Sequence, residues 1–388
     1  MKDFVFCNPT KIIFGEDTVS RVGEELSMIG KKVLFVYGRS HIKQTGLYDK
    51  IIKFLAAAKL SVTEFPGVRP NPVLSHAREG VALAKKERVD AILAVGGGSV
   101  IDESKAIAAG AVTDIDIWEF FTGAKIIKAA LPVCTVLTIP ATGSEMNPGM
   151  VITNDEIQDK FGFRSDHLYP RFSILDPTLT YSLPGDQTAY GAVDATAHLL
   201  EGYFTHRDPW APIQDRYAEG LVRTIMESVE IILGKPDDYQ GRATMMWAAT
   251  LAWNGLGVAG VGPAQIPNHM LEHPLSALYD IAHGAGLAVV IPAWMTWTAR
   301  REPGRIARLG RTVFGIEEPD DTKAAKVSIA AMKAWYEKIG APTSFKAAGV
   351  TSPDIDMLAD KALKQGKRWG ITSYTKENVT EIYQLCAT

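Results

Sequence analysis

The chain has 388 residues, which is long enough for two domains with substantial apolar cores. Apolar residues make up 46% and charged residues 22%, with a formal net charge of -3, so the composition argues against a nucleic-acid or membrane-surface partner. Three widely spaced cysteines (Cys7, Cys134 and Cys386) argue against a disulfide framework and predict a cytoplasmic location. One uncharged stretch, residues 247–267, holds too many glycines and polar residues for a membrane span.

The first half of the chain alternates strand-like and helix-like blocks. Short apolar runs rich in β-forming residues occupy positions 32–37, 60–65 and 89–95, and helical patterns occupy 47–58 and 73–87. This alternation predicts a Rossmann-like parallel sheet covered by helices on both faces. Ligands of such sheets bind at the carboxyl ends of the strands.

Two polar turns follow apolar runs in this half. The third strand leads into Gly-Gly-Gly-Ser at 96–99, and a helical pattern over 100–109 follows. Glycines there let a phosphate approach the backbone, and the first amides of the helix face the anion. A tight turn without a ligand is the alternative. The second turn, residues 138–145, also suits a phosphate or ribose, or is an ordinary loop.

The tip of the first strand bears on which dinucleotide binds. Residues 37–43 contain no acidic side chain, whereas Arg39 and Lys43 supply two cations. An acidic residue near the adenosine ribose is typical of NAD enzymes, and a basic residue accommodates the 2′-phosphate. The tip therefore favours NADP over NAD, with a solvated basic loop as the alternative.

Strand signals fade after residue 184, so the sequence predicts an α/β dinucleotide-binding domain over 1–184 and an all-helical metal-binding domain over 185–388. His206 lies in a polar turn of the second domain and is expected to be exposed. Helical patterns in this domain cover residues 186–204, 212–232, 242–253, 286–300, 322–339 and 352–364.

Five polar residues on apolar segments suggest a metal site in the second domain. His269 and His273 are four positions apart, as are Asp194 and His198, so each pair shares one helix face. His283 follows a short break and can fold back toward His269. Asp194, His198, His269 and His283 would supply nitrogen and oxygen ligands, which suit a catalytic transition-metal ion. His273 would lie nearby, free to carry a proton. Hydrogen-bonded core histidines are the alternative.

Together with the two polar turns, these residues match the motifs of a known enzyme family. It resembles the iron-dependent (group III) alcohol dehydrogenases, in particular the branch of butanol dehydrogenases and broad aldehyde reductases. The resemblance extends over nearly the whole chain and is carried, in order, by residues 8–15, 70–72, 96–102, 138–145, the Asp194/His198 pair and the three-histidine stretch at 267–284.

The resemblance implies a role for each matching residue. Asp194, His198, His269 and His283 match metal ligands, for Fe²⁺ with Zn²⁺ as the alternative, and His273 matches a proton-relay histidine. The residues that match contacts to NADP, or to NAD, are Gly97, Gly98, Ser99, Asp102, Asn71, Thr138, Thr142, Asn147, Gly149 and Lys160. Gly38, Ser40 and Lys43 fall where the reductase branch reads the 2′-phosphate. Arg39 departs from the small residue that close reductases tend to have.

The predicted function is metal-dependent interconversion of short-chain alcohols and aldehydes by hydride transfer, favouring aldehyde reduction with NADPH. A zinc-dependent glycerol or polyol dehydrogenase is one alternative. A dehydroquinate-synthase-like lyase is another, but its phosphorylated, carboxylated substrate requires many basic residues, whereas the histidine cluster here is surrounded by the apolar Met270, Leu271, Leu275 and Leu278. Dimers are common in the family, so we expect a homodimer acting on a small-molecule alcohol or aldehyde.

Overall fold

A computed structural model describes residues 1–387 of the chain. The β-strands are β1 Lys11–Phe14, β2 Lys32–Tyr37, β3 Ser61–Pro66, β4 Ala91–Gly97, β5 Val133–Ile139, β6 Gly149–Asn154, β7 Asp159–Arg164 and β8 Phe172–Leu175. The α-helices are α1 Val22–Ser27, α2 His41–Gln44, α3 Leu47–Ala57, α4 Leu74–Glu87, α5 Gly98–Ala111, α6 Trp118–Phe121, α7 Gly185–Thr205, α8 Pro212–Gly234, α9 Tyr239–Ala252, α10 Pro267–Tyr279, α11 His283–Ala299, α12 Gly304–Val313, α13 Asp321–Lys338, α14 Ile355–Arg368 and α15 Lys376–Leu385.

Six strands form one parallel sheet in the order β1-β8-β5-β4-β2-β3. The predicted parallel sheet is therefore confirmed, and its first three predicted strands correspond to β2, β3 and β4. A separate antiparallel pair, β6 and β7, was not predicted.

The central strands are apolar on both sides. On β2, Val33, Phe35 and Tyr37 join one buried cluster, whereas Leu34 and Val36 join another. Alternate residues of a strand point to opposite faces, so both faces of the sheet bury apolar side chains. This burial explains the continuous apolar runs, which are typical of parallel sheets covered by helices.

The order of the strands creates a binding position at the ends of β2 and β4. The chain leaves β2 for β3 on one side and returns to β4 on the other side. Tyr37 at the end of β2 pairs in register with Val95 of β4. Ligands of open α/β sheets bind outside such a switch point, so the β2 tip and the glycine turn meet at the expected edge.

The chain forms two compact units. The sheet unit contains Cys7–Leu183 and Lys235–Asn254, and the helical unit contains Met1–Phe6, Pro184–Gly234 and the chain from Gly255 onward. The structure thus differs from the predicted division at residue 184 in two segments. The larger one carries α9, whose Thr250 hydroxyl donates to the buried Glu145 carboxylate of the sheet unit. No helix within residues 1–387 is both long and apolar enough to span a bilayer.

In the helical unit, three helices meet around the predicted metal ligands. The helix α11 packs against α7 and α10, and α14 packs against α10. The helix α10 ends at Tyr279, and Asp280 turns the chain with a left-handed backbone (φ 50°) before α11 begins at His283. This sharp turn brings the start of α11 back to α10.

Candidate active site

Three helices direct imidazoles at one carboxylate oxygen. The helix α7 supplies Asp194 and His198, α10 supplies His269, and α11 supplies His283. Asp194 Oδ1 lies 3.4 Å from His198 Nδ1, 3.6 Å from His269 Nε2 and 3.7 Å from His283 Nε2. The structure therefore brings all four predicted ligands together.

The spacing and burial of these atoms fit a cation. Asp194 Oδ1 and His269 Nε2 are buried, and within residues 1–387 neither has a hydrogen-bond partner. Such atoms are costly to bury unless something else satisfies them. Ligand atoms about 2.1 Å from a tetrahedral ion lie about 3.4 Å apart, which is close to the observed separations. An Asp–His₃ set suits Fe²⁺ or Zn²⁺. That these residues bind the metal stays a prediction.

The electrostatics keep two of the groups in metal-binding forms. Burial opposes ionisation of Asp194, but His198, His283 and His269 outweigh it and lower the pKa of this carboxyl. Burial lowers the pKa of His198 to about 4, partly opposed by Asp194. At neutral pH the aspartate is therefore ionised and His198 is neutral, as metal ligation requires.

His269 stands between two carboxylates. Burial disfavours its charged form, but Glu201 and Asp194 together raise the pKa of His269 to about 10. The site thus attracts one positive charge to this position. A metal ion would supply that charge and leave the imidazole neutral.

Two buried glutamates that the sequence reasoning missed contact the far side of the imidazoles. Glu201 Oε2 lies 2.6 Å from His269 Nδ1, and Glu272 accepts a hydrogen bond from His283 Nδ1. Both glutamates are fully buried. Carboxylates in this position fix the tautomer and the ring orientation of metal-binding histidines. Each glutamate lies on a different helix from the histidine that it contacts, so its position in the sequence did not indicate the contact.

His273 lies beside this cluster. Its ring centroid is 6.1 Å from that of His269 and 5.6 Å from that of His283. His273 Nδ1 lies 2.6 Å from the side-chain amide nitrogen of Gln365, a buried residue of α14, and Trp369 contacts the ring edge-on. The proton-relay role of His273 stays a prediction, and Gln365 was not predicted at all.

His206 is not exposed, contrary to the expectation. It is buried, and its Nε2 lies 3.1 Å from Asp215 Oδ1 and 2.9 Å from Arg305 Nη2. Asp215 also accepts from Arg305 and forms an ion pair with Arg308. The polar turn around His206 folds into a charged network because ionic partners arrive from α8 and α12.

In the sheet unit, the glycine turn lies where a phosphate could approach the backbone. Gly97 ends β4, and Gly98 and Ser99 begin α5. A Cβ atom at Gly98 would lie 2.4 Å from Thr142 Oγ1, so only glycine fits between this backbone and the second polar turn. The free amides at the start of α5 and the absence of side chains suit the pyrophosphate of a dinucleotide.

Asp102 holds the second polar turn rather than presenting a free carboxylate. It is buried; one oxygen accepts from Ser144 Oγ at 2.5 Å and the other from the Val151 amide at 2.9 Å. Asn147 Oδ1 accepts from the Gly149 amide at 2.8 Å. Asp102 of α5 therefore contacts the segment that runs from the end of β5 into β6, in which Asn147 and Gly149 lie close to each other.

The remaining predicted cofactor residues surround the same edge of the sheet. Thr138 lies near the end of β5, and Thr142 lies in the loop that follows. Lys160 Nζ on β7 donates to Asn71 Oδ1 at 2.9 Å, and Asn71 has a left-handed backbone (φ 52°) before α4. A direct role of any of these residues in cofactor binding stays a prediction.

The β2 tip carries the three residues assigned to the 2′-phosphate. Gly38 follows β2, Ser40 immediately precedes α2, and Lys43 lies within α2. The ammonium of Lys43 lies 4.6 Å from the ring centroid of Tyr48 and 5.5 Å from that of Tyr37. These residues follow β2, which is adjacent to β4, the strand that leads into the glycine turn.

A parallel sheet with a glycine turn at its switch point, together with a buried Asp–His₃ cluster, is the combination expected of a metal-dependent enzyme that uses a dinucleotide. Family comparisons give the same class. Residues 9–177 match the model for iron-containing alcohol dehydrogenase, and residues 188–387 match the C-terminal model of the Fe-containing alcohol dehydrogenase family. The chain belongs to the iron-containing alcohol dehydrogenase family.

Individual relatives are similar over the full length. A probable NADH-dependent butanol dehydrogenase 1 of Bacillus subtilis is 43% identical, covering 98% of this chain and 99% of that protein. The NADPH-dependent aldehyde reductase YqhD of Escherichia coli is 40% identical, covering 94% of each. The crystal structure of an NADH-dependent butanol dehydrogenase A from Thermotoga maritima matches with a TM-score of 0.96 and 45% identity, covering 100% of this chain and 99% of that one.

The predicted family and reaction class are thereby confirmed. The chain is an oxidoreductase that interconverts alcohols and aldehydes with iron and a nicotinamide cofactor. The comparisons do not favour the lyase or polyol alternatives.

Proposed function

We propose that this enzyme reduces short-chain aldehydes and prefers NADPH to NADH. The observation that carries the cofactor preference is the β2 tip, which has Arg39 and Lys43 and no acidic residue over positions 37–43. The acidic residue nearby, Glu64 on β3, already accepts hydrogen bonds from Tyr37 and Tyr48 through its two carboxylate oxygens. It is therefore poorly placed to accept from ribose hydroxyls, as the acidic residue of an NAD enzyme typically does.

The helical unit would hold the metal and the substrate oxygen. Asp194, His198, His269 and His283 would bind the ion, and Fe²⁺ is the proposed metal because the family is iron-containing. When bound, the ion supplies Lewis acidity that polarises a carbonyl oxygen. Glu201 and Glu272 would hold the rings of His269 and His283 in one orientation throughout.

His273 is the proposed proton donor to the alcohol product. When the amide of Gln365 donates to Nδ1, the proton of the neutral ring resides on Nε2. Reduction of an aldehyde requires one proton in addition to the hydride. The imidazolium form of His273 would donate that proton and become the neutral ring that Gln365 holds, and a histidine can change between these two forms near neutral pH.

A cofactor and substrate screen tests this proposal. The anaerobically purified enzyme, with its iron content measured, is assayed on a series of short aliphatic aldehydes with NADPH and with NADH. We expect kcat/KM with NADPH to exceed that with NADH by about tenfold, since one charge contact to the 2′-phosphate is worth about 1.4 kcal/mol. A higher kcat/KM with NADH, as the names of two relatives suggest, would reject the cofactor preference.

We also propose a homodimer. Apolar side chains of the helical unit are exposed around the N-terminal segment, including Val5 at 97%, Trp210 at 73% and Ile213 at 64%. The Met1 ammonium lies 3.3 Å from Asp208, which places this segment beside Trp210. Exposed apolar patches commonly mark protein interfaces.

A cytoplasmic location is proposed on the cysteine usage. Cys7, Cys134 and Cys386 are all free thiols, and two of them are buried. Structural disulfides are typical of oxidising compartments, whereas separated free cysteines fit a reducing one. Fractionation of cells that produce the protein would test this location.

A further inference from the structure

Four side chains at the β2 tip form a cluster, here called the Glu64 cluster: Tyr37, Lys43, Tyr48 and Glu64. Tyr37 donates its hydroxyl to Glu64 Oε2 at 2.6 Å, and Tyr48 donates to Oε1 at 2.7 Å. The Lys43 ammonium lies over both tyrosine rings, 4.6 Å from the centroid of Tyr48 and 5.5 Å from that of Tyr37. The cluster therefore gathers a cation, two aromatic faces and a carboxylate at the end of β2, where the cofactor is expected to bind.

The charged form of the carboxylate in this cluster is favoured by its contacts. Hydrogen bonds from Tyr37 and Tyr48 lower the pKa of Glu64, and the charge of Lys43 lowers it further. The same contact with Glu64 raises the pKa of Tyr48 to about 12, so the tyrosines stay protonated as donors. Hydrogen bonds from neutral hydroxyls leave the net charge of Glu64 in place.

Two attractions thus hold Lys43 where it lies. The faces of the tyrosine rings attract a cation, and the charge of Glu64, which interacts with that of Lys43, adds a second attraction. Lys43 is itself exposed, so its long side chain can leave the rings. Any anion that recruits Lys43 must compete with this arrangement or share the ammonium with it.

We propose that Glu64 is a specificity-determining residue that limits the preference for the phosphorylated cofactor. Its charge opposes a 2′-phosphate at the β2 tip in two ways, because it repels the phosphate and retains the ammonium of Lys43. The inference rests on the proposed function in one respect, namely that the adenosine ribose lies at the β2 tip. Tyr37 and Tyr48 act as positioning residues, because they hold the carboxylate.

The test variant is Glu64→Gln, which removes the charge and keeps an oxygen that can accept from a tyrosine hydroxyl. Dissociation constants of NADPH and NADH are measured by quenching of tryptophan fluorescence, without substrate, at low and at high salt. We expect NADPH to bind roughly threefold to tenfold more tightly than to the wild type at low salt, with little change for NADH. The gain should shrink at high salt, because exposed charges are screened.

Two controls make the effect specific. Asp49→Asn removes an exposed charge from α3 next to Tyr48 without touching the hydrogen bonds to Glu64. It should change the ratio of the two dissociation constants by less than about twofold. In a Lys43→Met background, Glu64→Gln should lose the part of its effect that comes from retaining Lys43 and should keep the part that comes from direct repulsion of the phosphate.

The outcomes separate this inference from the proposed function. An unchanged NADPH-to-NADH binding ratio in Glu64→Gln would overturn the role of Glu64, even if the wild type prefers NADPH. An equal change for both cofactors would also overturn it, since it would show a general effect on the site. If the wild type prefers NADH but Glu64→Gln still shifts the ratio toward NADPH, the preference proposed above fails and the role of Glu64 stands.

Discussion

Two buried glutamates control which nitrogen of each imidazole faces Asp194. Glu201 contacts His269 Nδ1, and Glu272 contacts His283 Nδ1, so Nε2 of both rings points to Asp194. A neutral imidazole that donates through Nδ1 keeps its lone pair on Nε2. The carboxylates thereby hold both rings in the orientation in which Nε2 would face a bound cation.

Replacing Glu272 by glutamine should weaken iron binding. The neutral amide accepts a weaker hydrogen bond from His283 Nδ1, so the ring is held less firmly and is a poorer ligand. We expect Fe²⁺ affinity to fall roughly 10- to 100-fold, as measured by anaerobic competition with a chelator, and activity to return at high Fe²⁺ concentration. Ser276→Ala is the matched control, because Ser276 donates to the other oxygen of Glu272. Equal affinities of wild type and Glu272→Gln would contradict this role.

His273 and its partner Gln365 should affect turnover without affecting metal content. His273→Ala removes the proposed proton donor and should lower kcat for aldehyde reduction by about 10²-fold. Gln365→Leu removes the donor to Nδ1 and should lower kcat less, by roughly tenfold, because the ring remains but is no longer oriented. Iron content and kcat are measured on the same samples. An unchanged kcat in His273→Ala would reject the relay, and loss of iron in either variant would assign a structural role instead.

Spacing in the sequence was enough to select the four candidate ligands but not the residues around them. Asp194 with His198, and His269 with His283, stood out because histidines are rare and lay on apolar segments. Glu201 and Gln365 could not be selected by spacing, because their contacts with His269 and His273 are visible only in the folded structure. A glutamate or glutamine in a helix usually faces solvent, and only the tertiary structure shows that these two are buried.

Two charged residues on one face of α5 hold the loop between β5 and β6 in place. Lys105 is fully buried, and its ammonium donates to the carbonyl oxygens of Ser144, Asn147 and Gly149 and to the Ser144 hydroxyl, all within 2.7 to 2.8 Å. Asp102, one turn earlier, accepts from the same hydroxyl. The helix thus fixes the loop that carries two of the predicted cofactor residues.

This network makes a prediction about pH. Burial raises the pKa of Asp102 to about 6, against 3.8 in its ordinary state, although Lys105 and two hydrogen bonds oppose the shift. The folded protein therefore holds the proton more tightly than the unfolded chain. The resulting contribution to stability is fully present below pH 3.8 and is lost as the pH rises through about 6.

Comparison with Asp102→Asn isolates this contribution. On lowering the pH from about 7 to about 5, the wild type should gain about 1 kcal/mol relative to the variant. The midpoint of thermal unfolding, measured for both at each pH, reports the difference. Asp114→Asn, with an exposed side chain, should track the wild type. A difference between wild type and Asp102→Asn that stays constant, or that changes in the opposite direction, would contradict the assignment.

Among the elements, β2, β3 and β4 were predicted as strands, whereas β1, β8 and the pair β6 and β7 were not. The strand β4, buried along its whole length, was visible as an apolar run. The pair β6 and β7 escaped prediction, because β7 reads Asp-Lys-Phe-Gly-Phe-Arg and its neighbours are polar. The helix α9 was predicted as a helix of the second domain, whereas the structure groups it with the sheet unit, since an amphipathic pattern does not identify the partner that covers it.

At the scale of the whole molecule, the active-site residues come from segments far apart in the sequence. Asp194 on α7 and His283 on α11 meet although the long helix α8 and the segment with α9 intervene. No periodicity links these segments. Their meeting could be predicted only from their shared chemistry, because four isolated polar residues on apolar helices need one common partner.

The apolar patch of the helical unit predicts the oligomeric state. Met1, Phe4, Val5, Trp210 and Ile213 are each at least half exposed, and the backbone of Lys2 donates to the Gly260 carbonyl, which fixes the N-terminal segment. A second copy of the chain would remove these side chains from water. Trp210→Glu places a charge in that interface, and a buried unpaired charge is strongly unfavourable. The variant should therefore be monomeric at micromolar concentration, whereas the wild type should be a dimer.

Light scattering during size-exclusion chromatography measures the mass of each protein. The control is Ile231→Glu, which adds the same charge at another exposed apolar position of α8, roughly 27 Å along the helix from Ile213. If any added charge dissociated the dimer by repulsion, both variants would be monomers. If the patch is the interface, only Trp210→Glu dissociates, because only there must the charge lose its water. A dimeric Trp210→Glu would exclude this patch, and a monomeric wild type would exclude the dimer itself.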